Sequence, residues 1–357
     1  MLREKRVRYN QFVMITIDGS RGEGGGQIIR TSLALSLITG KPFRIYNVRA
    51  RRERPGLQRQ HLTAVRAAAT VGGARVEGAG VGATEFTFRP GQVAPGDYMF
   101  PIGTAGSTML VFQTILPPLM IASAPSTLVF EGGTHNVHAP PYEFIVKTFL
   151  PLVGRMGPRV TPTLERYGFY PPGGGRVYVT IEPAAGGLLT PLHLPARGEI
   201  TARRARALVV KLPPTVGERE LSVITEQLGW GEREGDELRV ETSGNALSPG
   251  NVLTLEIESA HLTEVFSGIG ERGVRAETVA ERAAAEARAY LDAGAPVGEH
   301  LADQLLIPLA LAGGGSYTTG RPSLHTTTNI EVIKLFLDVR ITIEQAGDDV
   351  WKIEING

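Results

Sequence analysis

The order of candidate elements runs three times along this chain, and that repetition restricts the fold more than any single motif. Residues 13–18 form a short β-rich run and 27–37 carry apolar residues at helical spacing. Residues 43–48 return to strand, 60–71 to helix, and 74–88 hold two short strands. The next stretch keeps the same order. Strand is predicted at 98–102, helix at 107–121, strand at 127–131, helix at 141–156, and two strands within 160–181. A third copy ends the chain: helix from Glu299, strand near Ser316, helix from Asn329, then strands at 339–344 and 350–355. The unit is β-α-β-α-β-β, detectable by element order more than by sequence identity.

Between the second and third copies, residues 185–292 break the rhythm and are rich in charge. Strands are predicted at 207–212, 238–242 and 252–258, and helices at 218–228 and 277–291. The expected fold class is therefore α/β (α+β): a three-repeat body interrupted by a small inserted α/β domain. The expected boundaries are 1–185 for repeats 1 and 2, with a short N-terminal extension at 1–12; 186–292 for the insert; and 293–357 for repeat 3.

A chain of 357 residues can bury a substantial core and suffices for two domains. Its net charge of +1 excludes a global polycation, so any nucleic-acid contact must be local. The absence of cysteine excludes disulfides, thiolate metal sites and cysteine nucleophiles, and fits a cytoplasmic setting. The charged, Arg-rich start lacks the apolar stretch of a secretory signal. No run approaches the roughly 18 apolar residues that a membrane span needs, so no membrane association is expected. Oligomeric state is not readable.

With cysteine excluded, His325 is the best available nucleophile. It lies in Pro322-Ser323-Leu324-His325-Thr326-Thr327-Thr328-Asn329-Ile330. Thr328-x-x-Glu331 is a capping-box pattern, which places His325 in a loop just before a helix N-terminus, where free N–H groups favour anions. Upstream, His300, Asp303 and Gln304 share one helical face, with Leu301, Leu305 and Leu309 toward a core. Gly22-Glu23-Gly24-Gly25-Gly26-Gln27 lies between strand and helix. It is neither a Walker loop nor a dinucleotide fingerprint, and reads as a tight turn or a phosphate cradle. Glu23 there is a candidate ligand for a divalent ion accompanying a triphosphate. Arg49, Arg51, Arg52 and Arg54 form either a solvated charge run or a phosphate grip, which Gln60 and His61 would complete. Gln113 is a polar residue inside an apolar helix and must bond backbone or ligand. His135 and His138 have no third ligand in view and do not read as a metal pair.

Jointly these blocks resemble the RNA 3′-terminal phosphate cyclases. The resemblance runs through Asp18-Gly19-Ser20-x-Gly22-Glu23-Gly24-Gly25-Gly26-Gln27-Ile28-Ile29-Arg30 and Arg49-Ala50-x-Arg52. It continues in Pro55-Gly56-Leu57-Gln58-Arg59-Gln60-His61-Leu62, Ile102-Gly103-x-Ala105-Gly106-Ser107 and Gly132-Gly133-Thr134. Gly168-Phe169-Tyr170-Pro171-x-Gly173-Gly174-Gly175 and the His300 and His325 blocks complete it. It implies a three-repeat body with a thioredoxin-like insert. It also implies phosphate or RNA contacts at Arg30, Arg49 and Arg52, metal binding at Glu23, and ATP contacts at Gln113, Pro140, His300, Leu301, Ala302, Asp303 and Gln304. One departure stands out. The family commonly has a tyrosine stacked on adenine where this chain has His300, a smaller ring that titrates near pH 6–7 when unperturbed.

The resemblance further implies the reaction: His325 takes AMP from ATP, with Mg or Mn assisting. AMP passes to an RNA 3′-terminal phosphate, and the 2′-hydroxyl closes a 2′,3′-cyclic phosphate. Two other readings are a non-catalytic ribosome-biogenesis factor related to these cyclases and an enolpyruvyl-type transferase on a similar repeated fold. The presence of His325, Glu23, Arg30 and Asp303 argues against the first. The His325 segment and the arginine cluster argue against the second.

Overall fold

The computed structural model describes residues 13–232 and 234–357; the expected extension at 1–12 lies outside the described residues. The first repeat is β1 (Ile15–Asp18), α1 (Gly26–Thr39), β2 (Phe43–Tyr46), α2 (Arg59–Val71), β3 (Arg75–Glu77) and β4 (Phe86–Arg89). Its sheet has the order β1-β2-β4-β3, with β1 and β2 parallel. The second repeat is β5 (Asp97–Pro101), α3 (Thr108–Leu119), β6 (Ser126–Gly132), α4 (Tyr142–Phe144), α5 (Leu150–Gly154), β7 (Arg159–Arg166) and β8 (Gly175–Glu182). A π-helical turn, Ile145–Phe149, joins α4 to α5. Its sheet, β5-β6-β8-β7, repeats the order of the first.

The remaining elements are β9 (Leu192–Leu194), β10 (Ile200–Val210), α6 (Thr215–Leu228), β11 (Asp236–Ser243), β12 (Gly250–Ser259), β13 (Thr263–Ile269) and α7 (Ala276–Ala293). They are followed by α8 (Glu299–Gln304), α9 (Leu306–Leu311), β14 (Gly314–Thr319), α10 (Leu324–Phe336), β15 (Arg340–Gln345) and β16 (Trp351–Asn356). The third sheet, β9-β14-β16-β15, again has its first two strands parallel. Its opening strand β9 falls inside 186–292, the stretch expected as insert, so the third repeat begins ahead of the inserted elements. Three residues, one of them His193, carry too little alternation to signal a strand. The insertion occupies the crossover that carries β9 to its parallel neighbour β14.

Two element boundaries differ from expectation for local reasons. The helix predicted from Glu299 is broken into α8 and α9, because Pro308 has no N–H to bond the carbonyl of Gln304. The helix expected from Asn329 starts a full turn earlier, at Leu324, because Ser323 provides the cap: its hydroxyl accepts the Thr326 N–H at 3.3 Å.

The helices of the three repeats meet in one apolar core. Leu33 of α1, Phe112 of α3 and Ile333 of α10 are fully buried in it, together with residues from all three sheets. The inserted sheet, β11-β10-β12-β13, keeps a separate core around Trp230, Ile224 and Leu255 against α6 and α7. It docks on the second repeat through an apolar cluster, Phe169 with Leu208, Val210 and Val252, and through charge. Glu143 is buried between His135, at 2.7 Å, and Arg206 of β10, while Lys147 on the π turn pairs with Glu256 of β12. Together the histidine and arginine hold the Glu143 carboxyl down to about 2 against its burial.

Within the insert one carboxyl is held without a cation in contact. Glu220 of α6 is fully buried; its Oε1 accepts from Asn251 Nδ2 at 2.6 Å and Oε2 has no partner. Burial pushes this group up to about 7 from 4.5. The folded state therefore binds more protons between those values, and stability falls as pH rises through about 7. Glu220→Gln should stabilise the protein by about 1–3 kcal/mol at pH 8 and change it far less at pH 5. Urea unfolding at both values checks this; an equal change at both would show that the carboxyl folds ionised.

Candidate active site

A cavity of about 470 Å³ opens where α1, α3, α8 and the start of α10 face β13 and α7 of the insert. His325 lies in the first turn of α10, not in a loop before it, and its side chain remains half-exposed to the cavity. Thr328 does not cap its own helix. Its Oγ1 accepts the N–H of Glu23 at 2.9 Å, tying the glycine-rich loop of the first repeat to the third.

Gln27, in the first turn of α1, lies between two other helices. Its amide Nε2 donates to Asp303 Oδ2, and its Oε1 is 3.1 Å from His325 Nδ1. The amide nitrogen faces Asp303, so the amide oxygen is left to accept from His325 Nδ1–H. The lone pair of Nε2 is then left to the cavity. Burial, Arg30, His300 and Arg52 all lower the His325 pKa from its ordinary 6.5, so the ring is neutral at neutral pH. Asp303 is pushed up to about 7 by burial, and Asn329, held by Thr31 at 2.7 Å, donates to the Asp303 carbonyl at 2.8 Å.

The other side of His325 is a basic corner. Burial lowers the Arg30 pKa to about 10 even with Asp303 nearby, the signature of a desolvated cation whose charge is only partly answered. His61 Nδ1 accepts the Gln58 N–H at 3.1 Å, so its proton is on Nε2. Burial, Arg30 and Arg49 drive His61 down to about 3, and the ring remains a neutral donor. Arg49, at φ 53°, is anchored by NH1 to the carbonyls of Arg54 and Gly56 at 2.6 and 3.0 Å. Gln60 is engaged elsewhere, its Oε1 accepting the Ser107 N–H at 3.2 Å. The glycines make this crowding possible. A Cβ on Gly26 would lie 2.5 Å from His61 Nε2 and 2.8 Å from an Arg30 nitrogen.

Arg52 pairs with Glu23, whose carboxylate is nearly buried, 3.9 Å from His325 Nε2. Glu23 Oε2 is a buried oxygen without a partner, which suits a cation ligand, although among the described residues no group of three or more metal-type side chains occurs. His135 is consumed by Glu143, in line with its exclusion as a metal ligand.

The far wall carries the remaining predicted residues. Gln113 donates to Gln304, which in turn donates to the His300 carbonyl at 2.9 Å, and Pro140 lines the cavity beside them. Leu301 and Ala302 do not line it: both face the core, one and two positions around α8 from His300. His300 Nε2 lies 3.6 Å from Glu286 of α7, and that neighbour raises it to about 9, away from the pH 6–7 range of an unperturbed ring. Sequence reasoning passed over Gln27, Asn329 and the insert residues. Gln27 carried the same signal as Gln113, a polar side chain at the start of an apolar helix.

A neutral imidazole with a free lone pair beside a desolvated arginine suits an enzyme that works on phosphate groups. The family model for RNA 3′-terminal phosphate cyclase matches residues 21–343, and the chain belongs to that family. An RNA 3′-terminal phosphate cyclase of Koribacter versatilis is 51% identical over 93% of this chain and 92% of its own. Those of Ectopseudomonas mendocina (50%; 96% of this chain, 98% of its own) and Ralstonia nicotianae (49%; 96% and 97%) are similar.

The hydrogen-bond pattern predicts three distinct histidine states at pH 7.5. Long-range ¹H–¹⁵N correlation of histidine-labelled protein should show His300 as imidazolium, His61 with its proton on Nε2 and His325 with its proton on Nδ1. A proton on Nε2 of His325 would remove the Gln27 orientation.

Proposed function

We propose that this chain converts an RNA 3′-terminal phosphate to a 2′,3′-cyclic phosphate at the expense of ATP, with His325 as the nucleophile. The observation that carries the reading is the hydrogen-bond chain Asp303–Gln27–His325, which leaves a neutral imidazole lone pair facing the cavity. His325 Nε2 attacks the α-phosphorus of ATP, forming an N–P bond as the bond to pyrophosphate breaks. The RNA 3′-phosphate then displaces the histidine and takes the AMP as a mixed anhydride. Attack of the neighbouring 2′-hydroxyl on the activated phosphorus closes the ring, breaks the anhydride bond and releases AMP.

The geometry supports the following roles. Gln27 fixes the tautomer and aim of His325. Arg30, Arg49 and the Nε2–H of His61 hold phosphate oxygens, and Arg52 adds charge beside Glu23. Gln60, its Oε1 taken by the Ser107 N–H, would add only its amide nitrogen to the phosphate corner. Gln113, Gln304, Pro140, His300 and Asp303 form the nucleotide wall. Glu23 would hold a divalent ion, Mg or Mn, through Oε2 and phosphate oxygens, and that ion would neutralise charge on the triphosphate. The boundaries 1–185, 186–292 and 293–357, adjusted for β9, would separate the body from the insert. Among the described residues no helix is long and apolar enough to cross a membrane; we place the protein in the cytoplasm on its lack of cysteine.

Intact-mass measurement after incubation with ATP and a divalent ion tests the central step. The parent should gain one AMP. His325→Ala should gain none while its thermal midpoint is retained, and an adduct persisting in that variant overturns the assignment. Glu23→Ala should slow self-adenylation by about 10- to 100-fold, the range for lost positioning groups. Enzyme adenylated beforehand should cyclise RNA at close to the parent rate; equal loss in both steps would remove Glu23 from the metal role.

A further inference from the structure

The insert reaches into the nucleotide cavity from one side only, and two of its carboxylates converge on the same short helix. Glu264 of β13 is buried and its Oε1 accepts the N–H of Gly298, the cap of α8, at 2.6 Å. Glu286 of α7 meets His300, two residues further on, at 3.6 Å. Between these contacts Val265, Ile269 and Val279 form the apolar part of the same wall. The inserted unit therefore both walls the cavity and grips the helix that carries His300 and Asp303.

We propose that the insert is part of the nucleotide-binding machinery, with Glu286 acting as a positioning residue that holds His300 as a fixed cation on the cavity wall. This rests on the reading of the cavity as the ATP site. The surroundings of His300 support the assignment. On α7 it faces Glu286 and Arg282, but Arg282 is turned to Glu271 at 3.5 Å. On its own helix Glu299 and Asp303 are nearby, and β13 contributes Glu264. From the body side Arg30 and His325 line the same cavity. Carboxylates dominate this neighbourhood, and Glu286 is the one in contact with the ring.

A fixed positive charge here does two things. It attracts the polyanionic nucleotide, and it disfavours a second proton on His325, keeping that ring neutral. Where the family commonly stacks a neutral tyrosine, this chain would use a cation on His300 that a carboxylate of its insert holds. The substitution at 300 and the glutamate at 286 are then one device.

ATP affinity of the parent, Glu286→Gln, His300→Tyr and the double variant, measured between pH 6 and 8.5 at fixed salt and Mg, tests the proposal. Binding to His300→Tyr reports the nucleotide's own titration. Relative to the parent, Glu286→Gln should bind about fivefold more weakly at pH 8, the size of one ion–ion contact in water, and at least as tightly at pH 6, where His300 is protonated in both and a wall carboxylate is gone. In the His300→Tyr background the same substitution should cause no loss. Equal affinity of Glu286→Gln and parent at pH 8 overturns the proposal. So does an equal loss in both backgrounds, which would mean that Glu286 acts other than through His300. A parent that binds no ATP at any pH overturns the functional reading and this proposal together.

Discussion

The side-chain amide of Gln27 has two ends of opposite hydrogen-bonding character, and both are engaged across repeat boundaries. Its nitrogen belongs to Asp303 on α8 and its oxygen to His325 on α10, while the residue itself opens α1. An amide cannot change which end donates. Once Asp303 fixes one end, the tautomer of His325 follows, and with it the atom that can attack an electrophile. The first repeat thus sets the chemistry of the third. Thr328, accepting from Glu23, and Asn329, bonded to Thr31 and Asp303, bind the same helices from neighbouring turns.

Charge around this amide is arranged by burial. Arg30 remains a cation in a poorly solvated corner, and His61 and His325 are held neutral, although the three lie within one small site. The result puts hydrogen-bond donors on one side of the site and a lone pair on the other. Close approach depends on absent side chains: the glycines of the loop leave room for His61, Arg30 and Glu23 to stand over the start of α1.

The insert is joined to the body by an apolar cluster around Phe169, Leu208 and Val252 and by charge. Glu143 with His135 and Arg206, Lys147 with Glu256, and the contacts of Glu264 and Glu286 with α8 lie along one seam. Such contacts specify geometry because a buried charge has few satisfactory partners. They also explain how a unit with its own core can take part in the site of its neighbour.

The α/β fold class and the run of strands and helices were legible in the sequence, and the same local reading singled out His325, because apolar periodicity and cap residues are local properties. His300, Asp303 and Gln304 were correctly grouped on one helical face for the same reason. Local rules also misled: Thr328 looked like a cap because nothing local shows that its hydroxyl is taken by Glu23, 305 residues away in sequence. The short strand β9 escaped because only its pairing with β14 makes it a strand. The tautomer of His325, the neutral state of His61 and the second proton of His300 were decided by tertiary structure alone. Each depends on which groups from distant segments displace water around the ring, and spacing along the chain carries no record of that.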